Sequence, residues 1–520
     1  MTMDRKHVVM VASENDALIG GKVGGVGDVV RNLPKALARL GWRVTVIIPS
    51  YGFLHTSNSS KLLAHVAFPF GGKQTEGEMW HADPKEPVDH VSHLLFEHPD
   101  LKGDPIYFND PSDSPFMRDA TKYALFCSAV GQFLKTLDQP FTLHLHDWHT
   151  GVLLLLRERH PEFTALKKIP TCFTIHNLAI QGTRPMLKHQ SSVECWFPEL
   201  FSHAAWISEW KDPRYKEPTF TPMAAGIQYT GKVNTVSPTY AEEILKPNDP
   251  RTGFHGGEGL EGILLQAKTK DRLFGILNGC EYPGNRTIPK ISSSDLYDHI
   301  AEAVASLKKK NVNYEAGDLL ERIRRFRANP PSIMLTSVTR VVEQKVGLFF
   351  ERTGNRIFAI DEIMNLLEQR NGVYILLGSG TPDYEQRVME AEKKHDRLIF
   401  IQGYSERLSL ELYANGTLFL MPSLFEPCGI SQMLAMRDGQ PCVVNAVGGL
   451  RDTVMSGVNG FTFYGDTMQE KADGFVLAAR KAMDMYFQNK ALWEKITIEA
   501  GKARFTWEQT ARQYIELLYA

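Results

Sequence analysis

The fold is decided by the stretch KHVVMVASENDALIGGKVGGVGDVVRNLPKALARLG, which spans residues 6–41. Its first part is a short apolar run that predicts a buried strand, and its last part has the apolar spacing of a helix. The glycine-rich loop between them matches neither the P-loop nor the dinucleotide fingerprint, since Val30 stands where the fingerprint needs its third glycine. The loop therefore opens a helix N-terminus directly after a strand, a geometry that binds an anion.

The same alternation of strands and helices recurs along the chain. A first set of apolar runs lies at 6–13, 43–50, 141–147, 171–176 and 233–238, and a second set lies at 332–339, 373–380, 397–404, 417–423 and 442–446. Such runs, separated by helical segments, are typical of a parallel sheet covered by helices on both faces. We therefore predict an α/β protein with two doubly wound Rossmann-like domains that face each other across a cleft.

The boundary between these domains is predicted near residues 255–285, where a glycine-rich segment is followed by a polar, proline-containing one. We divide the chain into domains 1–265 and 266–502, and we expect the C-terminal helix, about residues 503–520, to pack back on the first domain. Residues 285–331 carry the charged runs KKK and ERIRRFR, which we interpret as a solvated helical face without a chemical motif.

Composition excludes several classes of protein. The chain has 520 residues, with 58 lysines and arginines against 60 acidic residues, so its formal net charge of -2 gives no electrostatic reason to bind nucleic acid or an anionic membrane. Six cysteines without a C-x-x-C spacing disfavour both a disulfide framework and a zinc site. No apolar run approaches the roughly 20 residues of a membrane span. We therefore expect a cytoplasmic protein with no nucleic-acid or membrane partner.

Polar residues follow the strands of the first half, at the edge where open parallel sheets bind ligands. They comprise Glu14, His146, Asp147, His149, His176 and Asn177. Clustered histidines first suggest a metal, but their spacing matches neither H-E-x-x-H nor a zinc pattern, so we expect no metal site. A single histidine at a strand end is more often a packed core residue than a catalyst. Several polar residues that converge on one crevice favour a functional site instead.

The second half presents cations and glycines at the equivalent positions. Arg340 and Lys345 follow a strand directly, and together they form a candidate clamp for a diphosphate. Glu426 lies at a predicted helix start, where its charge is stabilised. Gly448 and Gly449 precede another helix and offer a second set of backbone amides.

Seven motifs together resemble those of the bacterial-type glycogen and starch synthases. The motifs are KVGGVGD (22–28), HDWHTG (146–151), TIHNLAIQG (174–182), TVSPTYAEEI (235–244), RVVEQK (340–345), FEPCGISQ (425–432) and GGLRDTV (448–454). They occur in the family's order over roughly residues 8–282 and 332–465. The resemblance implies a retaining glucosyltransferase with two Rossmann-like domains, the GT-B fold. It further implies an N-terminal domain on the acceptor side and a C-terminal domain that binds the nucleotide sugar.

The resemblance also implies a role for individual residues. Lys22 would reach the nucleotide sugar's phosphates, with glycine amides beside them, while Arg340 and Lys345 would hold the distal phosphate. Tyr404 would stack on the base, and Glu426 would hydrogen-bond the sugar hydroxyls. The implied catalytic residues are Asp147, His176, Arg340, Lys345 and Glu426, and the implied donor-binding residues are Lys22, Gly24, Gly25, Asp28, Asn177, Asn278, Tyr404, Cys428, Gly429, Gly448 and Gly449.

The family's reaction needs no metal or cofactor, and the resemblance offers no obvious carboxylate nucleophile of the kind that retaining glycosidases use. A front-side displacement is therefore expected, in which the cations stabilise the leaving diphosphate and the backbone carbonyl of His176 lies near the anomeric carbon. The implied partners are a nucleotide sugar, ADP-glucose or UDP-glucose, and an α-glucan acceptor. The chain departs from the family pattern at Ala224, Glu281, Leu424 and Val447.

Two other functions are compatible with the predicted architecture. A sugar-nucleotide epimerase or a phosphorylase can have the same fold, because fold alone does not determine chemistry. A phosphorylase would need a lysine that binds pyridoxal phosphate in the C-terminal half. The departures from the family pattern would also suit a noncatalytic, glucan-binding regulatory homologue.

Overall fold

A computed structural model describes residues 6–103, 105–108, 110, 114–138, 140–210, 214–282, 290–310 and 318–520. The chain divides into two compact units. The first unit contains the described residues up to Pro247, together with Gly256–Gly279 and Trp507–Ala520. The second contains Asn248–His255 and the described residues of Cys280–Thr506. Relative to the division predicted from sequence, residues 248–255 fall in the second unit and residues 266–279 in the first.

The strands of the first unit are β1 (His7–Val11), β2 (Arg43–Pro49), β3 (Ser60–Phe70), β4 (Lys73–Ala82), β5 (Val91–Glu97), β6 (Thr142–His146), β7 (Thr171–Ile175), β8 (Arg184–Pro185), β9 (Thr219–Phe220), β10 (Lys232–Thr235) and β11 (Leu273–Gly275). Those of the second unit are β12 (Ile333–Val338), β13 (Gly372–Gly378), β14 (Leu398–Gln402), β15 (Leu418–Met421), β16 (Cys442–Asn445) and β17 (Gly460–Phe463).

The helices are α1 (Gly25–Arg39), α2 (Leu54–Ser57), α3 (Met117–Leu134), α4 (Gly151–Arg159), α5 (Val193–Trp196), α6 (Pro222–Tyr229), α7 (Pro238–Glu243), α8 (Glu261–Thr269), α9 (Ser293–Lys310), α10 (Leu319–Ala328), α11 (Glu343–Val346), α12 (Ala359–Gln369), α13 (Pro382–Lys394), α14 (Glu406–Asn415), α15 (Ser431–Arg437), α16 (Gly448–Thr453), α17 (Met468–Gln488), α18 (Lys490–Lys502) and α19 (Trp507–Tyr514). Short 3-10 helices cover Pro99–Leu101, Trp148–Thr150, Pro161–Lys168, Pro198–Glu209 and Gly347–Phe350, and a π-helical turn covers Ile515–Tyr519.

The sheet of the first unit is mostly parallel. Among the described residues its nine strands run in the order β11-β10-β7-β6-β1-β2-β5-β4-β3. Every pair from β11 to β5 is parallel, and β4 and β3 add an antiparallel hairpin at one edge. All five residues of β1 are buried, as expected for a strand that is covered on both faces and therefore reads as a continuous apolar run. Helix α19 packs against α1 and joins this unit's core.

The sheet of the second unit is wholly parallel. Its six strands run in the order β14-β13-β12-β15-β16-β17, the doubly wound Rossmann order. The predicted α/β class with two doubly wound domains is confirmed. Each of the ten apolar runs predicted as a strand contains one, namely β1, β2, β6, β7, β10 and β12 to β16.

The charged runs of residues 285–331 form a solvated helical face, as predicted, because they lie on helices α9 and α10 with Lys308, Glu321 and Arg327 exposed. Residues 285–289 and 311–317 lie outside the described residues. The opposite face of these helices is not solvated. Helices α9 and α10 bury Tyr297, Ile300 and Phe326 in a core on one face of the second sheet. Even Arg322 is buried, and its guanidinium donates to the Leu398 carbonyl at 2.7 Å. The two helices are therefore amphipathic, and their apolar residues cover the sheet.

Candidate active site

Each sheet reverses its strand order once among the described residues, and predicted site residues follow the strands on either side of the reversal. In the first unit the reversal falls between β1 and β6, and in the second it falls between β12 and β15. Ligands of open α/β sheets bind beyond the carboxyl ends of the strands at such a reversal, because the flanking loops diverge there and leave a crevice. The loops after these four strands carry Glu14, Asp147, Arg340 and Glu426.

In the first unit, Glu14 anchors the glycine-rich loop. This buried carboxylate follows β1, and its Oε2 accepts hydrogen bonds from the backbone N–H groups of Val23 and Gly24, both at 2.6 Å. Burial raises the pKa of Glu14, while the amide hydrogen bonds oppose that rise. The amides that we expected to lie beside a phosphate are therefore already satisfied at Val23 and Gly24. Gly25 is exposed, and a side chain there would meet open space.

Lys22 projects from the same loop toward acidic side chains. Its Nζ donates to Asp28 Oδ1 at 2.5 Å and lies 3.9 Å from Asp16 Oδ2. Asp16 also pairs with Arg31 and Lys85, at 3.0 and 2.9 Å. Burial raises the pKa of Asp28, and the charge of Lys22 opposes that rise. The structure thus pairs two predicted donor-binding residues, Lys22 and Asp28, with each other. Sequence reasoning missed Asp16, because its other partners come from distant parts of the chain.

Asp147 occupies a strained position at the end of β6. Its φ of 60° and ψ of 177° fall in a region that non-glycine residues rarely adopt, and such strain persists at functional sites. The side chain is buried, and its Oδ1 accepts from the His176 backbone N–H at 3.3 Å. Burial raises the pKa of Asp147 to about 8, with a smaller contribution from the charge of Glu14. Asp147 is therefore a carboxyl group that can exchange its proton near neutral pH.

Three imidazoles lie together at the ends of β6 and β7, and we call them the histidine stack: His144, His146 and His176. The ring centroids of His144 and His146 are 4.1 Å apart, and His146 Nδ1 lies 3.0 Å from His176 Nε2. Burial lowers the pKa of both His144 and His176 to about 3 and that of His146 well below its usual value. The stack is therefore neutral at physiological pH.

Three other predicted polar residues of the first unit have different surroundings. His149 is a packed core residue, with its ring 4.2 Å from that of Trp148 and 4.6 Å from that of Tyr123. Asn177 uses its Oδ1 to accept from the Ala179 backbone N–H at 3.1 Å. Asn278 follows the edge strand β11, and its buried Oδ1 has no hydrogen-bond partner among the residues that the structure describes.

In the second unit, the two predicted cations have different surroundings. Arg340 directly follows β12 and is exposed, and its guanidinium forms no ion pair within the described parts of the chain. Lys345 lies on α11 and forms an ion pair with Glu426. The side chains of Lys345 and Glu426 are 12% and 6% exposed. Glu426 also accepts from Ser423 Oγ at 3.2 Å. Lys345 and Glu426 are thus one buried pair, and Arg340 stands apart from it.

Gly448 and Gly449 allow the start of α16 to pack against the loop that carries Glu426. The Gly449 N–H donates to the Glu426 carbonyl at 3.1 Å, so this amide is not free for a phosphate. A side chain on Gly448 would overlap the Glu426 carbonyl oxygen, and one on Gly449 would overlap that of Cys428. Gly429 has a φ of +76°, which favours glycine. These glycines therefore fix the loop that carries Glu426.

Tyr404 follows the edge strand β14 and is 65% exposed, which leaves its ring face accessible for stacking. Two of the departures from the family pattern are buried and apolar: Ala224 on α6, and Leu424 in the core of the second unit. Among the predicted site residues, the cations are Lys22 in the first unit and Arg340 and Lys345 in the second.

Comparison with known proteins identifies the family. Residues 7–266 match the model of the starch synthase catalytic domain, and residues 346–480 match that of the glycosyl transferases group 1. A glycogen synthase from Desulfitobacterium hafniense is 33% identical over 511 residues, which cover 95% of each chain. The chain belongs to the glycogen and starch synthase family. A second glycogen synthase, from Gloeobacter violaceus, is 31% identical over 508 residues and 95% of each chain.

A solved structure agrees with this membership of the glycogen and starch synthases. The catalytic domain of starch synthase IV from Arabidopsis thaliana, bound to ADP and acarbose, covers 99% of this chain with a TM-score of 0.73 and 26% identity. The chain is therefore a glycosyltransferase of the glycogen and starch synthase type with the GT-B fold. None of its described helices is long and apolar enough to cross a membrane.

Proposed function

We propose that this glycosyltransferase transfers glucose from ADP-glucose to the non-reducing end of an α-1,4-glucan in the cytoplasm, with retention of configuration. The observation that supports this most strongly is the placement of the motif residues at the strand-order reversal of each sheet. The ADP bound by the structural relative from Arabidopsis thaliana favours an adenine nucleotide over UDP-glucose.

The first unit supplies groups suited to a glucosyl ring. Neutral imidazoles and a carboxyl group that is largely protonated below its pKa of about 8 can both donate and accept hydrogen bonds with sugar hydroxyls. We assign this role to Asp147, His176 and Asn177. The backbone carbonyl of His176 stabilises positive charge that develops at the anomeric carbon. Lys22 leaves its carboxylate partners to contact the phosphates.

The second unit supplies groups suited to a diphosphate and a base. Arg340 is exposed at the end of β12, so it can bind the distal phosphate without losing an ion pair of its own. Lys345 shares its charge between Glu426 and the phosphate, and Glu426 also orients the sugar hydroxyls. Tyr404 stacks on the base. The leaving phosphate oxygen accepts the proton of the attacking glucan hydroxyl, so the chemistry needs no separate general base.

The experiment is a transfer assay with radiolabelled ADP-glucose and UDP-glucose on a malto-oligosaccharide. We expect label in the glucan with ADP-glucose, a lower rate with UDP-glucose, and loss of transfer in Asp147→Ala. Label that appears only with UDP-glucose would refute the choice of donor. No transfer from either donor would favour the noncatalytic glucan-binding homologue.

A further inference from the structure

The end of the chain places two tyrosines in the core of the first unit. Helix α19 ends at Tyr514, and the π-helical turn Ile515–Tyr519 follows it directly. A π-helix bonds each residue to the one five positions along, so residues five apart lie on the same side. Tyr514 and Tyr519 are five apart, and both are buried beside His144, with ring centroids 5.6 and 5.7 Å from it.

Both tyrosines belong to one buried chain of hydrogen bonds. Thr174 Oγ1 donates to Asn234 Oδ1 at 2.5 Å, and Asn234 Nδ2 donates to the Tyr514 hydroxyl at 3.1 Å. The Thr174 hydroxyl proton is thereby committed, so Thr174 Oγ1 accepts from His144 Nε2 at 2.6 Å. His144 Nδ1 is then an acceptor, and it receives the Tyr519 hydroxyl proton at 2.7 Å. The Thr174 hydroxyl therefore fixes the tautomer of His144, and the Tyr519 hydroxyl holds the orientation of its ring.

A ring contact connects this chain of hydrogen bonds to the candidate active site. The oriented ring of His144 packs on His146, with the two ring planes inclined by 33°. His146 Nδ1 in turn contacts His176 Nε2. His144 and His146 are buried on the first unit's sheet, where a displaced ring has no water to replace its lost partner, and His176 directly follows β7 and is half-buried. The position of the Tyr519 hydroxyl is therefore coupled to that of the His176 ring.

We propose that Tyr519 is a positioning residue for His176, acting through His144 and His146. The inference rests on the proposed function for its effect on catalysis, but not for its structural part. Tyr519 stands 375 positions from His144 in the sequence, and no sequence motif marks it. The last turn of the chain is thus a part of the machinery that orients the sugar-binding face of the first unit.

The test compares Tyr519→Phe with Tyr374→Phe. Tyr374 is a matched control, because it is a fully buried tyrosine of the second unit whose hydroxyl contacts Ser337 at 2.8 Å, with no link to the histidine stack. We expect Tyr519→Phe to lower kcat for transfer from ADP-glucose to a malto-oligosaccharide by about tenfold, the loss of one well-placed hydrogen bond, with little change in the donor KM. The control should keep its kcat, and both variants should lose similar melting temperature.

Two further measurements separate positioning from general loss of structure. In a His176→Ala background, Tyr519→Phe should have no further effect on kcat, since residues that act through one another are not additive. Imidazole ¹⁵N shifts, assigned by single histidine substitutions, should change at His144 and His176 in Tyr519→Phe and stay unchanged in the control. Unchanged shifts, or additive losses of activity, would overturn the proposal. The shifts report on the coupling even if the wild-type chain transfers no glucose, so that outcome would refute the proposed function alone.

Discussion

Replacement of Lys345 and of Arg340 should have different effects on stability, although both follow the same strand. Lys345→Met removes the partner of Glu426, whose side chain is only 6% exposed. Loss of one member of a buried ion pair leaves the other charge uncompensated and costs about 3 to 5 kcal/mol. We expect the lower end of this range, because Ser423 still donates to Glu426. Arg340→Ala removes an exposed side chain and should change the free energy of unfolding by no more than about 0.5 kcal/mol.

The effect on catalysis should be similar for the two residues. Each cation is proposed to stabilise the leaving diphosphate, and a charge-assisted hydrogen bond contributes about 1.5 to 3 kcal/mol, which corresponds to roughly ten- to a hundredfold in kcat. The interaction strengthens as the glycosidic bond breaks, so kcat should fall more than the donor KM rises. Lys345→Met should therefore lose both activity and stability, whereas Arg340→Ala should lose activity alone.

The assay combines steady-state transfer kinetics with thermal unfolding of the ligand-free protein. For a unit of this size, about 3 kcal/mol lowers the melting temperature by roughly 6 to 12 °C. The double variant Lys345→Met/Glu426→Gln should regain most of that loss of stability, because no buried charge is left unpaired, but its kcat should not recover. The reasoning fails if Lys345→Met is as stable as Arg340→Ala, or if the losses of stability in the double variant simply add.

Three other predictions concern metal, pH and the glycine-rich loop. Transfer should survive EDTA, because the three cations neutralise the leaving diphosphate, and activity restored to a chelated sample by magnesium would contradict this. The first unit should be most stable at about pH 6.5. Below that pH the unfolded histidines of the stack bind protons that the folded ones do not, at about 2 kcal/mol each by pH 5. Above it the folded Asp147 keeps a proton that the unfolded one has released, so stability falls with pH up to the folded pKa of about 8. Melting curves should show that the alkaline decline flattens in Asp147→Asn, and a decline that persists would refute its cause. Glu14→Gln should speed hydrogen exchange of the Val23 and Gly24 amides about tenfold, since a charged acceptor is roughly twice as strong as a neutral one, whereas exposed Glu86→Gln should not.

The regular part of the fold was predictable because its signal is local. A strand buried on both faces is a continuous apolar run, and β1, β2 and β12 each have this pattern. The hairpin β3–β4 was missed because it forms the sheet edge and mixes buried with exposed residues along both strands. Strand β17 was missed because a glycine and a threonine interrupt its apolar residues.

The candidate site was predictable in its residues but not in their partners. Motif positions at strand ends located Asp147, His176 and Glu426, since the fold requires each to lie at a strand-order reversal or beside one. The partner that each takes depends on packing between distant segments. Lys345 and Glu426 are 81 positions apart, and Tyr519 is 375 positions from His144. No local pattern encodes such distances.

The resident carboxylate of Glu14 changes how the glycine-rich loop must work. A loop whose amides waited for a phosphate would have no fixed shape without ligand, because buried N–H groups need partners. Here Glu14 already satisfies the amides of Val23 and Gly24, so the loop is ordered before any donor binds. The group left to respond to a donor is Lys22, which can exchange Asp28 for a phosphate. The glycines therefore serve the close approach of Glu14 to the backbone, and in the proposed function the charge of Lys22 recognises the donor.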